Sequence, residues 1–441
     1  MSGNARETAL QILISMRTAH AWSDAALASH LSRDGLSAPD RMLATRLVYG
    51  VLQNQMLLDF WIGAYCSQKP DHLQPPLLDI LRLGVYQIVF LDKIPDSAAV
   101  NESVKLAKSC GRGAAAGLVN AVLRKVALNR QNLPTVPNRD PAVFLSVTYS
   151  HPKWLVKRLL TLLGPAETES FLRENNAPVP LTVQVNSLKT TQEALTEELE
   201  AAGVSAEKHP WVPGCLELSG AGNPTELPSF QTGKILIQDA AARLVTLAAR
   251  PAPGEQVLDV CAAPGGKSFS AAIAMENRGR ILACDLYPKK LSLIREGAAR
   301  LGITCIETAA ADGRETHPEW RESADLVLVD APCSGLGIIR KKPDIRYKKP
   351  DDLLMLPLLQ SAILANAATY VRPGGALVYS TCTILPEENE QTTDAFLAEH
   401  REFTQDPFEL PEPVGRTDGR LTLWPQRNHV DGFYICRMKR I

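Results

Sequence analysis

The stretch QVLDVCAAPGGK, Gln256 to Lys267, decides the fold of the larger part of this chain. Its apolar opening reads as a short strand, its small residues as a tight turn, and the pattern from Lys267 onward as a helix. The same rhythm continues on the C-terminal side: strand Arg280 to Cys284, helix Pro288 to Leu301, strand Ile303 to Thr308, strand Asp325 to Val329, helix Asp351 to Tyr370, strand Ala376 to Ser380 and helix Glu387 to Glu399. Strand and helix in turn predict a parallel sheet wrapped by helices, an α/β Rossmann-like domain whose ligands sit at the carboxyl ends of the strands.

Chemistry-bearing residues fall at those ends. Cys261, Ala262, Ala263, Pro264, Gly265, Gly266 and Lys267 form the turn after the first strand, where glycine permits close backbone approach and a helix start offers free N–H donors. The turn lacks the G-x-x-x-x-G-K-[ST] spacing of a nucleoside triphosphatase. Asp285 ends the second strand, where a carboxylate can accept both ribose hydroxyls, and Asp312 follows the third strand in position to border an adenine. Either carboxylate alone reads as a cap or turn former. In order on consecutive strands they describe an adenosyl pocket, which also takes in Asp330 at the end of the fourth strand.

Two cysteines follow the next strands: Cys333 after VLVD and Cys382 after LVYST. A buried cysteine is usually an inert small hydrophobe, but these two face the crevice where a second substrate would meet the cofactor. A thiol there has a specific use. Carbon 5 of a pyrimidine is a poor nucleophile, and thiolate attack on carbon 6 makes it enamine-like and able to take a methyl group. Because a free thiol has a pKa of about 8.5, a neighbouring cation such as Lys267 or Arg340 is needed to hold the thiolate. Asp330 is placed to bond the edge of the base and stabilise charge at ring nitrogen 3. Position and chemistry select the pair Cys333 and Cys382 without choosing between them.

With 441 residues, the chain exceeds the roughly 250 to 300 at which single cores stop growing. Residues 1–130 read as an all-α domain of about six to eight helices, with apolar stripes at Ala9, Ile12, Leu13 and Met16, at Leu43, Leu47, Val48 and Val51, and at Leu77, Ile80, Leu81 and Val85. Residues 131–141, with three prolines, read as a linker. Residues 142–230 mix the helix-like His151 to Leu163 with the strand-like LTVQVN and a helical TQEALTEELEAAG, which predicts a small α+β subdomain; 231–441 is the Rossmann-like domain.

Composition is that of a globular protein, with 45% hydrophobic and 22% charged residues. The apolar run Leu77 to Leu91 is broken by Asp79, Arg82 and Gln87, and Met1 to Thr8 carries Arg6 and Glu7, so neither a membrane span nor a signal peptide is expected and the cytoplasm is the expected compartment. Nine scattered cysteines without metal-ligand spacing predict free thiols and no metal site. Net charge is only −1, yet Ser103 to Arg139 holds seven basic and no acidic residues, and Gly337 to Pro350 holds six basic residues against Asp344. Such clustering predicts phosphate-facing surfaces, with a solvated helix face as the plainer alternative.

The segments LDVCAAPGGKS, CDLYPKK, AADGRE, VLVDAPCSGLG with RKKPDIRYK, YSTCTILPEENE and HVDGFYICRMKR closely resemble those of the RNA cytosine-5 methyltransferases of the Nol/Nop/Sun type, over about Gly233 to Arg440. The resemblance implies a class I fold using S-adenosyl-L-methionine, with Cys382 as nucleophile and Cys333 assisting product release. DNA cytosine methyltransferases use the Pro-Cys cysteine instead, which keeps Cys333 as the competing nucleophile. The helical N-terminal region resembles the RNA-binding NusB domain, and the combination implies 16S ribosomal RNA as substrate, free or in a partly assembled small subunit, and a monomeric enzyme. One position departs from the pattern: Gln184 stands where such enzymes typically carry arginine before Val185 and Asn186.

Other readings are an RNA-binding assembly or antitermination-like factor, which needs neither cysteine, and the same chemistry on 23S ribosomal RNA or tRNA. A methyltransferase acting on an amino group needs no thiol and typically places an Asn/Asp-Pro-Pro-Tyr/Phe tetrapeptide where this chain has Asp330 to Cys333.

Overall fold

The computed structural model describes residues 4–19 and 21–441, so the first three residues of the Met1 to Thr8 reading lie outside the described residues. The chain folds into two compact units: Met1–Ala177 with Ile339–Lys348, and Pro178–Ile338 with Lys349–Ile441.

The first unit is helical. Its α-helices are α1 (Ala5–Ala19), α2 (Ser23–Arg33), α3 (Ala38–Tyr65), α4 (Pro75–Phe90), α5 (Asp96–Ser109), α6 (Ala116–Leu128), α7 (Pro141–Thr148), α8 (Lys153–Leu163) and α9 (Pro165–Glu174). The helical stripes read from sequence close one core in which Ile12, Leu47, Val48, Ile80, Leu81 and Val122 are buried. Proline and polar caps set the helix starts: Ser37 accepts from the Asp40 N–H before α3, and Asp140 from Ala142 before α7. Pro134, inside the proline-rich stretch, accepts from the indole N–H of Trp61 on α3.

The basic segment from 339 to 348 belongs to this helical unit, which the strand-and-helix rhythm did not predict. Ser23 at the start of α2 donates its N–H and hydroxyl to Asp344 at 3.0 and 2.8 Å. Lys342 pairs with Asp24 at 3.0 Å, and the Tyr347 hydroxyl donates to Leu52 O at 2.7 Å. Arg346 is fully buried and its Nη1 donates to Gln53 O, Ser150 O and Asn176 Oδ1 at 3.0, 3.2 and 2.9 Å. Burial pushes that guanidinium down to about 10. This corrects the expectation that the run from 337 to 350 faces phosphate, since Arg346 and Lys342 are spent on protein partners. The run from 103 to 139 fits that expectation better, because Lys105, Lys108, Arg124, Lys125 and Arg139 are exposed.

The second unit holds two main sheets. The smaller comprises β1 (Leu181–Val185), β2 (Ser205–Lys208), β3 (Cys215–Ser219) and β4 (Ile235–Ile237) in the order β2-β3-β1-β4, all antiparallel where paired. Val183 and Val185 share a core with Leu195 and Leu199 of α10 (Gln192–Ala201), as the alternation of LTVQV requires. A short α11 (Pro228–Gln231) and then α12 (Ala240–Ala249) lead into the larger sheet.

That sheet contains β5 (Gln256–Asp259), β6 (Arg280–Asp285), β7 (Ile306–Ala310), β8 (Ala324–Asp330) and β9 (Val371–Thr381), parallel in the spatial order β9-β8-β5-β6-β7. This is the doubly wound order whose direction reverses between β5 and β8, where ligands bind. Helices α13 (Gly266–Ala274), α14 (Pro288–Leu301), α15 (Leu356–Ala368) and α16 (Glu390–Glu399) accompany the strands, with separate buried clusters centred on Leu244, Ile273 and Ile294 and on Val327, Leu364 and Tyr379.

The sheet is not wholly parallel, as alternation alone had suggested. After β10 (Phe403–Gln405), the small hairpin of β11 (Glu409–Leu410) and β12 (Gly415–Arg416), β13 (Arg420–Leu423) and α17 (Pro425–Asn428), the last strand β14 (Phe433–Arg440) pairs antiparallel with β9, β10 and β13. The helix expected from Asp351 begins only at Leu356, after a 3-10 turn at Pro350–Leu353. Among the described residues no helix is long and apolar enough to cross a membrane, and no cluster of metal-ligating side chains occurs.

Candidate active site

Register brings the two cysteines together. Strands β8 and β9 are parallel neighbours with Asp330 opposite Ser380, so the turns that follow emerge side by side. Ala331 N–H donates to Ser380 O, and Gly337 N–H to Cys382 O at 2.9 Å. The result is a Cys333 Sγ to Cys382 Sγ separation of 3.3 Å, within hydrogen-bond reach for sulfur. At Gly337 an added Cβ would lie 2.0 Å from Gly432 O and 2.9 Å from Cys382 O, so only glycine lets these backbones meet.

A buried polar network fixes both turns. The Glu388 carboxylate is 1% exposed and accepts from Ser334 N–H and Gln360 Nε2, each at 2.8 Å, and from the Thr383 hydroxyl at 3.3 Å. Gln360 also donates to Pro332 O at 2.9 Å. Ser334 and Thr383, each adjacent to one cysteine, share a 2.6 Å hydroxyl contact. Asn389 accepts from Thr381 at 2.6 Å and donates to Thr383 O at 3.0 Å. Reading for strand-end groups had missed Glu388, Asn389 and Gln360. The signal for Glu388 and Asn389 was present in the PEENE segment, which begins four residues beyond Cys382, but an acidic run ordinarily marks a solvated surface.

The Cys333 thiol is held well above its ordinary value, first by its hydrogen bond to Cys382, then by burial and by the charges of Cys382, Glu388 and Asp330. Cys333 is therefore held as the thiol, in a 3.3 Å contact with Cys382 in which either sulfur can donate. Lys267 is the nearby cation: its Nζ lies 2.6 Å from Asp330 Oδ2 and 5.2 Å from the centre of the Phe433 ring. Burial works against the Lys267 charge, but Asp330 outweighs it, and Cys382 and Asp259 add to the effect, so that its pKa is raised. Ser380 donates to the other oxygen, Asp330 Oδ1, at 3.0 Å, which orients the carboxylate. Arg340, the alternative cation, belongs to the helical unit, where it faces Glu174 at 3.6 Å.

Beside this pair, Cys261, Ala262, Ala263, Pro264, Gly266, Lys267 and Asp330 line one cavity of about 120 Å3, with Gln238, Ala242 and Asp259. Gly265 has φ of +109°, and a Cβ there would be 2.4 Å from Phe269, which explains glycine at the turn. The Cys261 thiol is raised by burial and by the carboxylates of Asp259, Asp330 and Asp285, so it is held neutral and unsuited to attack. Asp285 accepts from Tyr287 N–H at 3.0 Å and Ala263 N–H at 3.3 Å, which ties the second strand end to the glycine turn. Asp312 stands apart from the cavity lining and is bound to Arg314, whose guanidinium draws its carboxyl down to about 2.

The donor set fits the methionine end of S-adenosylmethionine. Two buried acceptors in the cavity, Asp259 Oδ1 and Gln238 Oε1, have no hydrogen-bond partner, while Gln238 Nε2 is occupied by Gly266 O at 3.0 Å. Burial pushes Asp259 up to about 6, against the pull of the Ser268 hydroxyl that donates to its Oδ2 at 2.6 Å, and an ammonium group would satisfy the two open acceptors. Neither Asp259 nor Gln238 was singled out from sequence. Gln184 lies in the middle of β1, opposite Cys215 and Leu236, with Oε1 buried and unpartnered.

Comparison with known proteins agrees with this geometry. Residues 246–439 match a family model described as 16S rRNA methyltransferase RsmB/F, residues 3–128 match the NusB family, and residues 151–225 match an RsmF/B-like ferredoxin-like domain. A protein named probable ribosomal RNA small subunit methyltransferase B from Bacillus subtilis is 40% identical over 99% of this chain and 98% of its own length. Its namesake from Synechocystis is 37% identical over 99% of both. The crystal structure of a methyltransferase homolog from Pyrococcus horikoshii superposes with a TM-score of 0.59 at 27% identity, covering 67% of this chain and 98% of that one.

Proposed function

The chain belongs to the 16S rRNA methyltransferase RsmB/F family, and on that footing we propose that it methylates carbon 5 of a cytosine in 16S ribosomal RNA through a covalent bond to Cys382. The enzyme is an S-adenosylmethionine-dependent methyltransferase with an N-terminal NusB domain. The observation that carries the residue assignment is the 3.3 Å pair of sulfurs at the ends of β8 and β9, next to the Lys267–Asp330 ion pair.

Chemistry follows from that pair. The Cys382 thiolate, with the Cys333 S–H directed at it and Lys267 nearby, attacks carbon 6 of the cytosine. Asp330, fixed by Lys267 and Ser380, bonds the edge of the base, and when it carries a proton it donates to ring nitrogen 3, where charge develops. S-adenosylmethionine, when bound, supplies an electrophilic methyl group, and carbon 5 takes it as the carbon–sulfur bond to Cys382 stands. The foremost cause holding the Cys333 proton is its hydrogen bond to Cys382, joined by the charge on that sulfur. The charge is gone and the hydrogen bond weakened once Cys382 is a neutral thioether. Cys333, its proton passed to solvent, then takes the proton on carbon 5, and the electron pair released expels Cys382 as thiolate.

The cofactor residues are assigned in the same way. Cys261 to Lys267 and Asp330, with Asp259 and Gln238, hold the methionine end, and Asp285 and Asp312 flank the adenosine. Residues 1–130 bind RNA, 131–141 join them to the helices up to 177 of the same unit, 178–230 carry the small sheet, and 231–441 without the segment 339–348 carry catalysis. The protein acts as a monomer in the cytoplasm, on 16S RNA free or within a partly assembled small subunit. Incubating the protein with methyl-labelled cofactor and unmodified 16S ribosomal RNA, followed by nucleoside analysis, tests the reading. 5-Methylcytosine is expected, and its absence from every ribosomal RNA offered would overturn it.

A further inference from the structure

The second unit contains another cavity, of about 420 Å3, which shares no residue with the cysteine-side cavity. It is lined by Gln184 on β1, by Ser187, Thr190, Thr191 and Gln192 on the turn into α10, and by Arg243 on α12, among others, and by no carboxylate. We propose that this cavity receives one nucleotide of the RNA substrate, with its phosphate on Arg243 and its base edge on Gln184. The proposal rests on the RNA-methyltransferase reading above.

Arg243 supports an anion. Its Nη1 donates to the neutral Ser270 hydroxyl at 3.1 Å, its Nε is buried without a partner, and among the described residues it pairs with no carboxylate. Burial lowers its pKa, as expected for a cation removed from water without a counter-charge. Cations in that position are costly unless a ligand supplies the charge. The first turn of α10, capped by Thr191 at Ala194 N–H, opens on the same cavity and adds the positive end of a helix dipole.

Gln184 supports a base. It is 1% exposed, its backbone is committed on both sides to β3 and β4, and its Oε1 has no partner. An amide offers a donor and an acceptor to one planar edge, which is how splayed single-stranded bases are read. A buried, unpaired amide oxygen costs stability unless something donates to it. The volume lies within the range of small-ligand pockets and suits one nucleotide rather than a helix of RNA.

The test uses full-length protein and unmodified 16S ribosomal RNA transcribed in vitro, with binding measured across a series of KCl concentrations. Arg243→Gln should weaken RNA binding about 10-fold and reduce the slope of log K against log salt by about 1, while leaving cofactor affinity unchanged. Arg243→Lys should keep the slope. Ser187→Glu, at an exposed position on the rim, should also weaken RNA binding by placing a carboxylate there, and it decides the matter if Arg243→Gln does not fold. Unchanged RNA affinity and slope in Arg243→Gln, or in Ser187→Glu where that variant decides, would overturn the proposal. So would an Arg243-dependent affinity for cytidine 5′-monophosphate with RNA binding unaffected, which would mark a free-nucleotide pocket. Failure of the wild type to methylate ribosomal RNA is a separate result that bears on the reaction, because the salt slope is read from binding alone.

Discussion

Substituting Glu388 should damage the site without touching either cysteine. The carboxylate accepts two 2.8 Å hydrogen bonds, from Ser334 N–H and Gln360 Nε2, and a longer one from Thr383. In Glu388→Gln the amide oxygen can keep the first two donors, and the new NH2 can face Thr383, whose hydroxyl turns to accept. What is lost is the charge assistance of two bonds, about 1 kcal/mol each, or about 2 kcal/mol in all. In Glu388→Ala the Ser334 and Gln360 donors are left buried and unpaired at about 1 to 3 kcal/mol each, and a small void is added, for about 4 kcal/mol or more. Urea unfolding of the full chain, together with single-turnover methyl transfer, reads both quantities. The expected order is wild type, then Glu388→Gln, then Glu388→Ala, with methyl transfer falling at least as steeply as stability because the network positions both sulfurs. An alanine variant within about 0.5 kcal/mol of wild type, or one better than the glutamine variant, would refute the network's role.

Three further outcomes are expected. Gly337→Ala should abolish methyl transfer yet leave cofactor binding intact by calorimetry, since its Cβ would collide with Gly432 O and Cys382 O rather than with the glycine turn. Asp259→Asn should trade affinity for stability. Because burial raises the folded-state pKa to about 6, above the ordinary 3.8, stability is fully present below about 4 and is lost as pH climbs through 6. Removing the charge should therefore stabilise the protein at pH 8 by up to about 3 kcal/mol in urea titrations, with no gain at pH 4, while cofactor affinity falls at least 10-fold. Arg346→Ala should cost the helical unit about 3 to 5 kcal/mol, measured by urea unfolding, because it strips donors from Gln53 O, Ser150 O and Asn176 Oδ1.

Much of this architecture was legible because strand ends are marked locally. An apolar run followed by small residues or a cysteine fixes a position at the carboxyl edge of a sheet, so Cys333, Cys382 and the turn from Cys261 to Lys267 could be placed without knowing which strands touch. Their proximity could not. It depends on Asp330 and Ser380 being in register, a long-range pairing that alternation does not encode. The same limit hid β14, whose alternating residues suit either direction beside β9. Charge misled in both directions. The acidic PEENE segment turns inward because the turns it holds expose N–H donors to Glu388, and the part of the basic run from 339 to 348 joins the helical unit because backbone carbonyls gather around Arg346. Asp312 was placed at the right strand end, and there its carboxylate also holds Arg314.

The central claim, that Cys382 attacks while Cys333 holds and later releases a proton, is tested most directly with 16S ribosomal RNA containing 5-fluorocytosine. Fluorine at carbon 5 blocks the final elimination, so the wild type should form an adduct stable to denaturing electrophoresis. Cys382→Ala should form none, and Cys333→Ala should still form it. Adduct in Cys382→Ala together with its loss in Cys333→Ala would contradict the account and transfer the attacking role to Cys333.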